Sequence, residues 1–190
     1  MHFPKATEMA HRLVGERLKK RQITVDATAG NGHDTLFLVG AVGGGGTVYA
    51  IDVQSGALAE TEKRLEDAEA KKQVKLVEAS HADLASVVPA KHHGKVAAAM
   101  FNLGYLPGGD KSLTTRWETT LPALRAAISL LREGGVLTVV CYPGHPAGAE
   151  EANAVSRWVG MLDQVDYRVV RYGFENVTNA PPFLIAVEKV

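Results

Sequence analysis

Only one cysteine, Cys141, occurs in 190 residues, so the chain can form no internal disulfide and has no thiol cluster for a structural zinc site. Nor is there an apolar run near the roughly 20 residues that span a bilayer, and the opening MHFPKATEMAHRL lacks the apolar core of a signal peptide. A cytoplasmic, non-membrane location is the expectation. An excess of one charge is missing too: 21 Lys and Arg balance 21 Asp and Glu, which excludes a strong overall positive field as the means of holding nucleic acid. Local patches stay open, and Arg12, Arg17, Lys19, Lys20 and Arg21 on the first expected helix form one. The plainer alternative there is a solvated helix face whose basic end complements the helix dipole. No repeat, linker or low-complexity tract interrupts the chain. With 46% hydrophobic and 22% charged residues it reads as one globular domain over 1–190, with an N-terminal helix within 1–21 packed on it.

What is present is an alternation. Residues 7–20 place Met9, Leu13, Val14 and Leu18 at helical spacing, and short apolar runs follow at 23–26, 48–52, 74–77, 96–101 and 136–141. Each run reads as a strand buried on both faces. Helical patterns at 34–39, 55–70, 115–131 and 149–162 lie between or after them, with Gly134-Gly135 read as the stop after 115–131. That order implies parallel strands joined by crossover helices. The tail departs from it: 167–172 and 183–187 are strand-like with only an Asn- and Pro-rich loop between them, so they should pair antiparallel. The expected fold is α/β, a doubly wound, seven-stranded, mostly parallel sheet with an antiparallel C-terminal hairpin. The seventh strand separates the Rossmann-like methyltransferase fold from a six-stranded dinucleotide domain.

The strongest local signal is VDATAGNGHDT at 25–35, which leaves an expected strand and opens an expected helix. Its glycines let a ligand approach the main chain closely, and Asp52, twenty residues after Gly32, is placed to accept the two hydroxyls of an adenosine ribose. Nicotinamide dinucleotides and S-adenosylmethionine both use that geometry. Asp26 tips the choice, because a carboxylate beside the loop repels a pyrophosphate and suits ammonium and sulfonium groups, directly or through water. Thr35 also stands where the dinucleotide pattern wants a small residue. The cofactor candidates are therefore Asp26, Gly30, Asn31, Gly32, Asp34, Thr35 and Asp52, joined by Gln54 at the second strand and by Ser80 and His81 after the third. For Asn31, Asp34 and Thr35 the alternative is plain helix capping.

The fourth strand runs into NLGYLPGGDK at 102–111, beside the cofactor in a doubly wound sheet. Enzymes that methylate exocyclic nitrogens often carry an Asn or Asp, two prolines and an aromatic at this place. Asn102 and Tyr105 keep that spacing, with Leu-Gly in place of the prolines. An amide oxygen accepts from an amine and aims its lone pair, and a tyrosine ring packs on a flat base. A primary alkylamine must also shed a proton at neutral pH. His145 leads the candidates for that task, followed by Asp110 and Tyr105, whereas Cys141 reads as an inert core thiol and His92-His93 lacks companion metal ligands.

Taken together, DATAGNGHDT at 26–35, NLGYLPGGDKSLTT at 102–115, Gly144-His145 and NAPPFL at 179–184 resemble one bacterial family, long labelled rRNA methylase and similar to the wobble-uridine tRNA methyltransferases called MnmM. The resemblance implies methyl transfer from S-adenosyl-L-methionine to the aminomethyl group on carbon five of the wobble uridine, often a 2-thiouridine. It also implies a tRNA anticodon stem-loop as partner, a homodimer, and cofactor contacts at Asn31, Asp34, Asp52, Gln54, Ser80 and His81; no metal is expected. Three alternatives stay open: methylation of rRNA or another substrate, a nicotinamide-dependent oxidoreductase, and a non-catalytic RNA-binding protein.

Overall fold

Among the described residues seven strands form one sheet, β1 (Ile23–Asp26), β2 (Thr47–Asp52), β3 (Val74–Glu78), β4 (Val96–Asn102), β5 (Leu131–Cys141), β6 (Tyr167–Tyr172) and β7 (Phe183–Lys189). The computed structural model describes every residue except Met1, Pro107, Gly109, Lys111 and Ser112, so the centre of the NLGYLPGGDKS stretch lies partly outside the described residues. Strand order is β3-β2-β1-β4-β5-β7-β6, with β1 to β5 parallel and β7 antiparallel to both β5 and β6. The expected doubly wound sheet with a terminal antiparallel hairpin is the fold observed.

Among the described residues six α-helices cover it: α1 (Ala6–Gly15), α2 (His33–Val42), α3 (Ser55–Asp67), the single turn α4 (Leu84–Val87), α5 (Trp117–Leu130) and α6 (Pro146–Val159). Alternation along the strands divides the core between them. Val25, Ile51, Phe101, Leu137 and Val139 pack with Leu84, Leu124 and Trp158 of α4, α5 and α6. Their neighbours Val48, Ala50, Met100 and Val140 pack with Val14, Leu38 and Leu65 of α1, α2 and α3. Because both faces are covered, the central strands have to be apolar at nearly every position. Each large side chain so buried contributes about 1.5–3 kcal/mol, which is how the chain dispenses with disulfides.

Two expectations are corrected. Helix α1 stops at Gly15 rather than Lys20, because the chain turns back toward β1: Arg21 has φ 64, and Lys19 donates its backbone N–H to the Gln22 side chain at 2.7 Å. The basic residues after Arg12 therefore belong to a turn and not to a helix face. Lys20 Nζ bonds Gly40 O at 3.0 Å and Arg17 bonds Leu13 O at 3.2 Å, so part of the patch is engaged with the chain itself. Secondly, Gly134-Gly135 does not terminate a helix. Helix α5 passes directly into β5, and the glycines form a bulge where the register on β4 jumps from Val96↔Leu131 to Ala98↔Val136. Gly134 has φ 65, and a Cβ on Gly135 would come within 3.0 Å of Val96 O.

Strands β2 and β3 are added on one side of β1, and β4 and β5 on the other. The connections leaving the carboxyl ends of β1 and β4 therefore diverge, and the crevice between them is where ligands bind in open α/β sheets. Among the described residues no helix is long and apolar enough to cross a membrane.

Candidate active site

A cavity of about 970 Å³ opens at the carboxyl ends of β1 to β5, walled by the segments that follow each strand. It lies at the upper end of the roughly 300–1,000 Å³ typical of small-molecule sites, so it has room for a cofactor and part of a second ligand. Gly30, Asn31, Asp34, Asp52, Gln54, Ser80, His81, Asn102, Tyr105 and His145, ten of the residues predicted from sequence, line it. Asp26, Gly32 and Thr35 do not.

Asp52, at the end of β2, is oriented by two backbone donors. Gly30 N bonds Oδ2 and Gln54 N bonds Oδ1, both at 2.9 Å, which holds the carboxylate still with lone pairs to spare for hydroxyl donors. The Gly30–Asn31 turn is in turn pinned by α3: Thr61 Oγ1 donates to Gly30 O at 2.9 Å and Arg64 Nε to Asn31 O at 2.6 Å. Gly32 completes this packing. It caps α2 with φ 78, and a Cβ there would meet Thr61 at 3.0 Å, so its absence from the cavity wall is explained by its fit against α3. Ser80 Oγ accepts from Ala82 N at 3.2 Å, and His81 is buried between α5 and Phe101, its Nε2 3.2 Å from Thr119 Oγ1. Burial lowers the His81 pKa, with Asp52 opposing, so the ring is neutral at neutral pH.

Asp26 is corrected from contact to support. It is fully buried, Thr35 Oγ1 donates to its Oδ2 at 2.6 Å, and Thr28 N donates to its Oδ1 at 3.2 Å. Its charge reaches the cavity only as a field through Thr28 and Asp34. Desolvation, reinforced by the neighbouring Asp34, pushes its pKa up to about 7.

Asp34 ties α1, α2 and β4 together at the cavity wall. His11 Nε2 on α1 lies 2.6 Å from Asp34 Oδ1, and Asn102 Nδ2 donates to Asp34 Oδ2. The ring of His11 is stacked on Phe37, with centroids 4.0 Å apart. Because the carboxylate must face the amide NH₂ and not its oxygen, the orientation of Asn102 is fixed. Its Oδ1 is then buried with no protein partner. The Asn102 backbone is tied as well, its N–H bonding Thr28 Oγ1 at 2.8 Å.

The loop after β4 closes back on itself through a bridge between Tyr105 and Thr114 and through Thr115 N bonding Gly104 O at 3.0 Å. Its base is held from α6. Glu151, 2% exposed, accepts from Thr115 Oγ1 at 2.7 Å and Thr120 Oγ1 at 2.6 Å, while Thr115 Oγ1 accepts from Gly104 N. His145 caps α6, its Nδ1 accepting from Gly148 N at 3.1 Å. With Nδ1 accepting that bond, the remaining ring nitrogen, Nε2, is buried with no partner in the protein. Asp110 is exposed on the loop and is not among the residues lining the cavity. Cys141 is buried, its thiol pushed up to about 12 by burial and Glu151, while His92 and His93 are engaged with Tyr49 and the Val88 carbonyl. Among the described residues no three His, Cys, Asp or Glu side chains converge as metal ligands.

Residues 48–188 match a family model described as "Putative rRNA methylase". The chain belongs to that family. It is 40% identical over 185 residues to the chloroplastic tRNA (mnm(5)s(2)U34)-methyltransferase of Arabidopsis thaliana, covering 93% of this chain and 67% of that protein. A "putative rRNA-methylase" structure from Clostridium thermocellum is 39% identical with a TM-score of 0.96, and each chain is covered completely. A "putative methyltransferase" from Streptococcus mutans, solved in complex with SAH, is 36% identical with a TM-score of 0.89, again over the full length of both chains.

In this rRNA methylase family chain several cavity residues were not singled out from sequence: Thr7 and His11 on α1, Thr28, Thr114, Tyr142 and Asn179. Asn179 falls within the NAPPFL stretch that carried part of the resemblance. His11 had no local signal. It is one polar residue on an amphipathic helix, and only the packing of α1 on α2 brings it to Asp34.

Proposed function

We propose that the chain is an S-adenosyl-L-methionine-dependent tRNA N-methyltransferase that converts 5-aminomethyl-(2-thio)uridine at the wobble position to its methylamino form. The observation that carries this reading is Asn102: a side-chain oxygen buried in the cavity wall, unpartnered in the protein and locked in orientation by Asp34, is an acceptor built for an N–H donor. The 40% identity to a methyltransferase named for that nucleoside supports the choice of substrate. Residues 1–190 act as one domain in this reading, since α1 supplies Thr7 and His11 to the cavity.

The donor set suits the cofactor. Asp52 offers acceptors for ribose hydroxyls, the Gly30–Asn31 turn lets a ligand approach the main chain, and Ser80 and His81 border the side toward β3. Asp34 in the cavity wall, with Asp26 buried behind it, is a carboxylate pair that suits a sulfonium or an ammonium better than a pyrophosphate, which favours S-adenosyl-L-methionine over a nicotinamide dinucleotide. Bound there, S-adenosyl-L-methionine supplies an electrophilic methyl group. The protein's share of the chemistry is placement. Asn102 Oδ1 takes an N–H of the substrate amine and thereby directs its lone pair, and Tyr105, 39% exposed in the cavity wall, offers a ring face to a base.

The anticodon stem-loop is the proposed partner and a homodimer the proposed assembly. Edge strand β6 is consistent with the latter, because Val169 and Val170, with Val165 just before it, are exposed there. A cytoplasmic setting goes with a tRNA substrate. The deciding experiment incubates the protein with methyl-labelled cofactor and tRNA carrying 5-aminomethyluridine. Label in that nucleoside is expected; label in ribosomal RNA alone would reject the substrate and keep the enzyme class.

A further inference from the structure

A carboxylate taken out of water without an ionic partner is costly unless hydrogen bonds compensate it. Glu151 on α6 is such a group: it is 2% exposed, and among the described residues it forms no ion pair. It has instead one hydroxyl donor on each oxygen, Thr120 Oγ1 at 2.6 Å on Oε1 and Thr115 Oγ1 at 2.7 Å on Oε2.

The two bonds lead to different places. Thr120 lies within α5, so its bond ties one helix to another. Thr115 precedes α5 and lines the cavity. Its hydroxyl has a single proton, and with that proton given to Glu151 the oxygen is left to accept the Gly104 N–H at 2.7 Å. Thr115 N donates in return to Gly104 O at 3.0 Å, so one residue holds both backbone groups of Gly104. A glycine at φ 123 has no side chain to fix its conformation, and these bonds fix it from outside. Gly104 stands between Asn102, which Asp34 holds from the other side, and Tyr105.

We propose that Glu151 is a positioning residue for methyl transfer: by taking the Thr115 proton it fixes that hydroxyl as the acceptor for Gly104 N–H, and so sets the turn that places Tyr105 relative to Asn102. This rests on the reading of that turn as the one that holds the substrate amine and its base. Without the carboxylate the Thr115 hydroxyl is free to rotate, and Gly104 N–H loses a fixed acceptor. Misplacement by about 1 Å near a reacting group can cost about 100-fold in rate, so a loosened turn is felt in the chemistry. A merely architectural Glu151 would act through Thr120, by joining α5 to α6, and would be felt in stability alone.

The test compares Glu151→Ala, Thr115→Val, their double variant and Thr120→Val in single-turnover methyl transfer to an anticodon stem-loop RNA carrying 5-aminomethyluridine, at saturating cofactor and RNA and well below each melting temperature. Glu151→Ala and Thr115→Val should each slow transfer by about 10-fold or more, with cofactor affinity by calorimetry within about 2-fold of wild type. The double variant should be no slower than Thr115→Val, because both substitutions remove the same linkage. Thr120→Val should lower the melting temperature yet keep the rate within about 2-fold of wild type. A Glu151→Ala rate equal to wild type, losses that multiply in the double variant, or an equal loss in Thr120→Val would each overturn the proposal. Should Glu151→Ala not fold, Glu151→Gln takes its place, since it keeps the shape and one acceptor and should show a partial loss. Amide NMR reads the turn without any substrate: the Gly104 N–H resonance should move in the Glu151 and Thr115 variants and stay in Thr120→Val, and a resonance unmoved by the Glu151 change would overturn the inference by itself. Wild type that leaves the RNA unmethylated while the Gly104 resonance behaves as expected would reject the substrate and keep the hold of Glu151 on the turn.

Discussion

Asn102 and Asp52 are both polar residues at strand ends, yet they are held by different partners, and the proposed function gives them different work. Asp52 is held by backbone donors on β2, where it can act on a cofactor that is bound before and after the chemistry. Asn102 is held by Asp34, where it can act on the nucleophile. Asp52→Ala should therefore weaken cofactor binding by about 10- to 100-fold, the worth of hydrogen bonds to a charged group, with a smaller effect on kcat at saturating cofactor. Asn102→Ala should lower kcat by about 100-fold or more at nearly unchanged cofactor affinity. Calorimetry and single-turnover rates separate the two, and equal effects of both substitutions on affinity and on rate would contradict the assignment. His11 acts one step further back, through Asp34. His11→Phe preserves an aromatic face for Phe37 but not the bond to Asp34, and should lower kcat about 10-fold while KM for the RNA holds; His11→Gln, which restores a donor, should recover most of the loss. A purely structural role would instead track melting temperature.

Between elements, the decisive bond set is the one Glu151 makes from α6 to Thr120 on α5 and to Thr115 at the base of the loop after β4. Burial raises its pKa, with the two hydroxyl bonds opposing. Glu151→Ala leaves those two hydroxyls without their acceptor, a cost of about 1–3 kcal/mol for a buried unsatisfied group. For a chain of this length that corresponds to a fall in melting temperature of about 3–10 °C, and Glu151→Gln should lose less. None of this was legible in the sequence. A glutamate in the first half of an amphipathic helix looks like a surface residue, and its burial is decided by what α5 places opposite it. The same reason hid Thr61, Arg64 and His11, whose partners lie 23 to 33 residues away in the chain. Strands were legible, because burial on both faces forces an unbroken apolar run, and so was the Gly30 turn, which follows β1 directly. Gly134-Gly135 misled because glycines after a helical pattern serve a helix stop and a strand bulge equally well. The place of His145 after β5 was legible, but the bond from Gly148 N to its Nδ1 was not, since it depends on how α6 starts three residues on.

Across the whole molecule, two carboxylates lie close together at the carboxyl end of the sheet, Asp34 in the cavity wall and Asp26 buried behind it, and the cost of that arrangement depends on pH. Asp26 rises from an ordinary 3.8 to about 7 in the folded chain, chiefly by desolvation and next by Asp34. Between those values the folded state holds a proton that the unfolded chain has released. Stability should therefore be fullest below about pH 4 as far as this group is concerned, and should be lost as pH rises through about 7. Asp26→Asn removes the titrating group, so its melting temperature should overtake that of wild type at pH 8 while the two converge near pH 4. A cationic ligand reverses the balance, because a sulfonium or ammonium in the cavity favours the ionised carboxylate and its binding must then expel a proton. Cofactor affinity should accordingly rise with pH through about 7. Titration calorimetry at pH 7 in two buffers of different ionisation enthalpy should show proton release in wild type and none in Asp26→Asn. A binding heat independent of buffer in the wild type would mean that the ligand does not feel the Asp26 charge, and the buried pair would then have no part in holding a cationic cofactor.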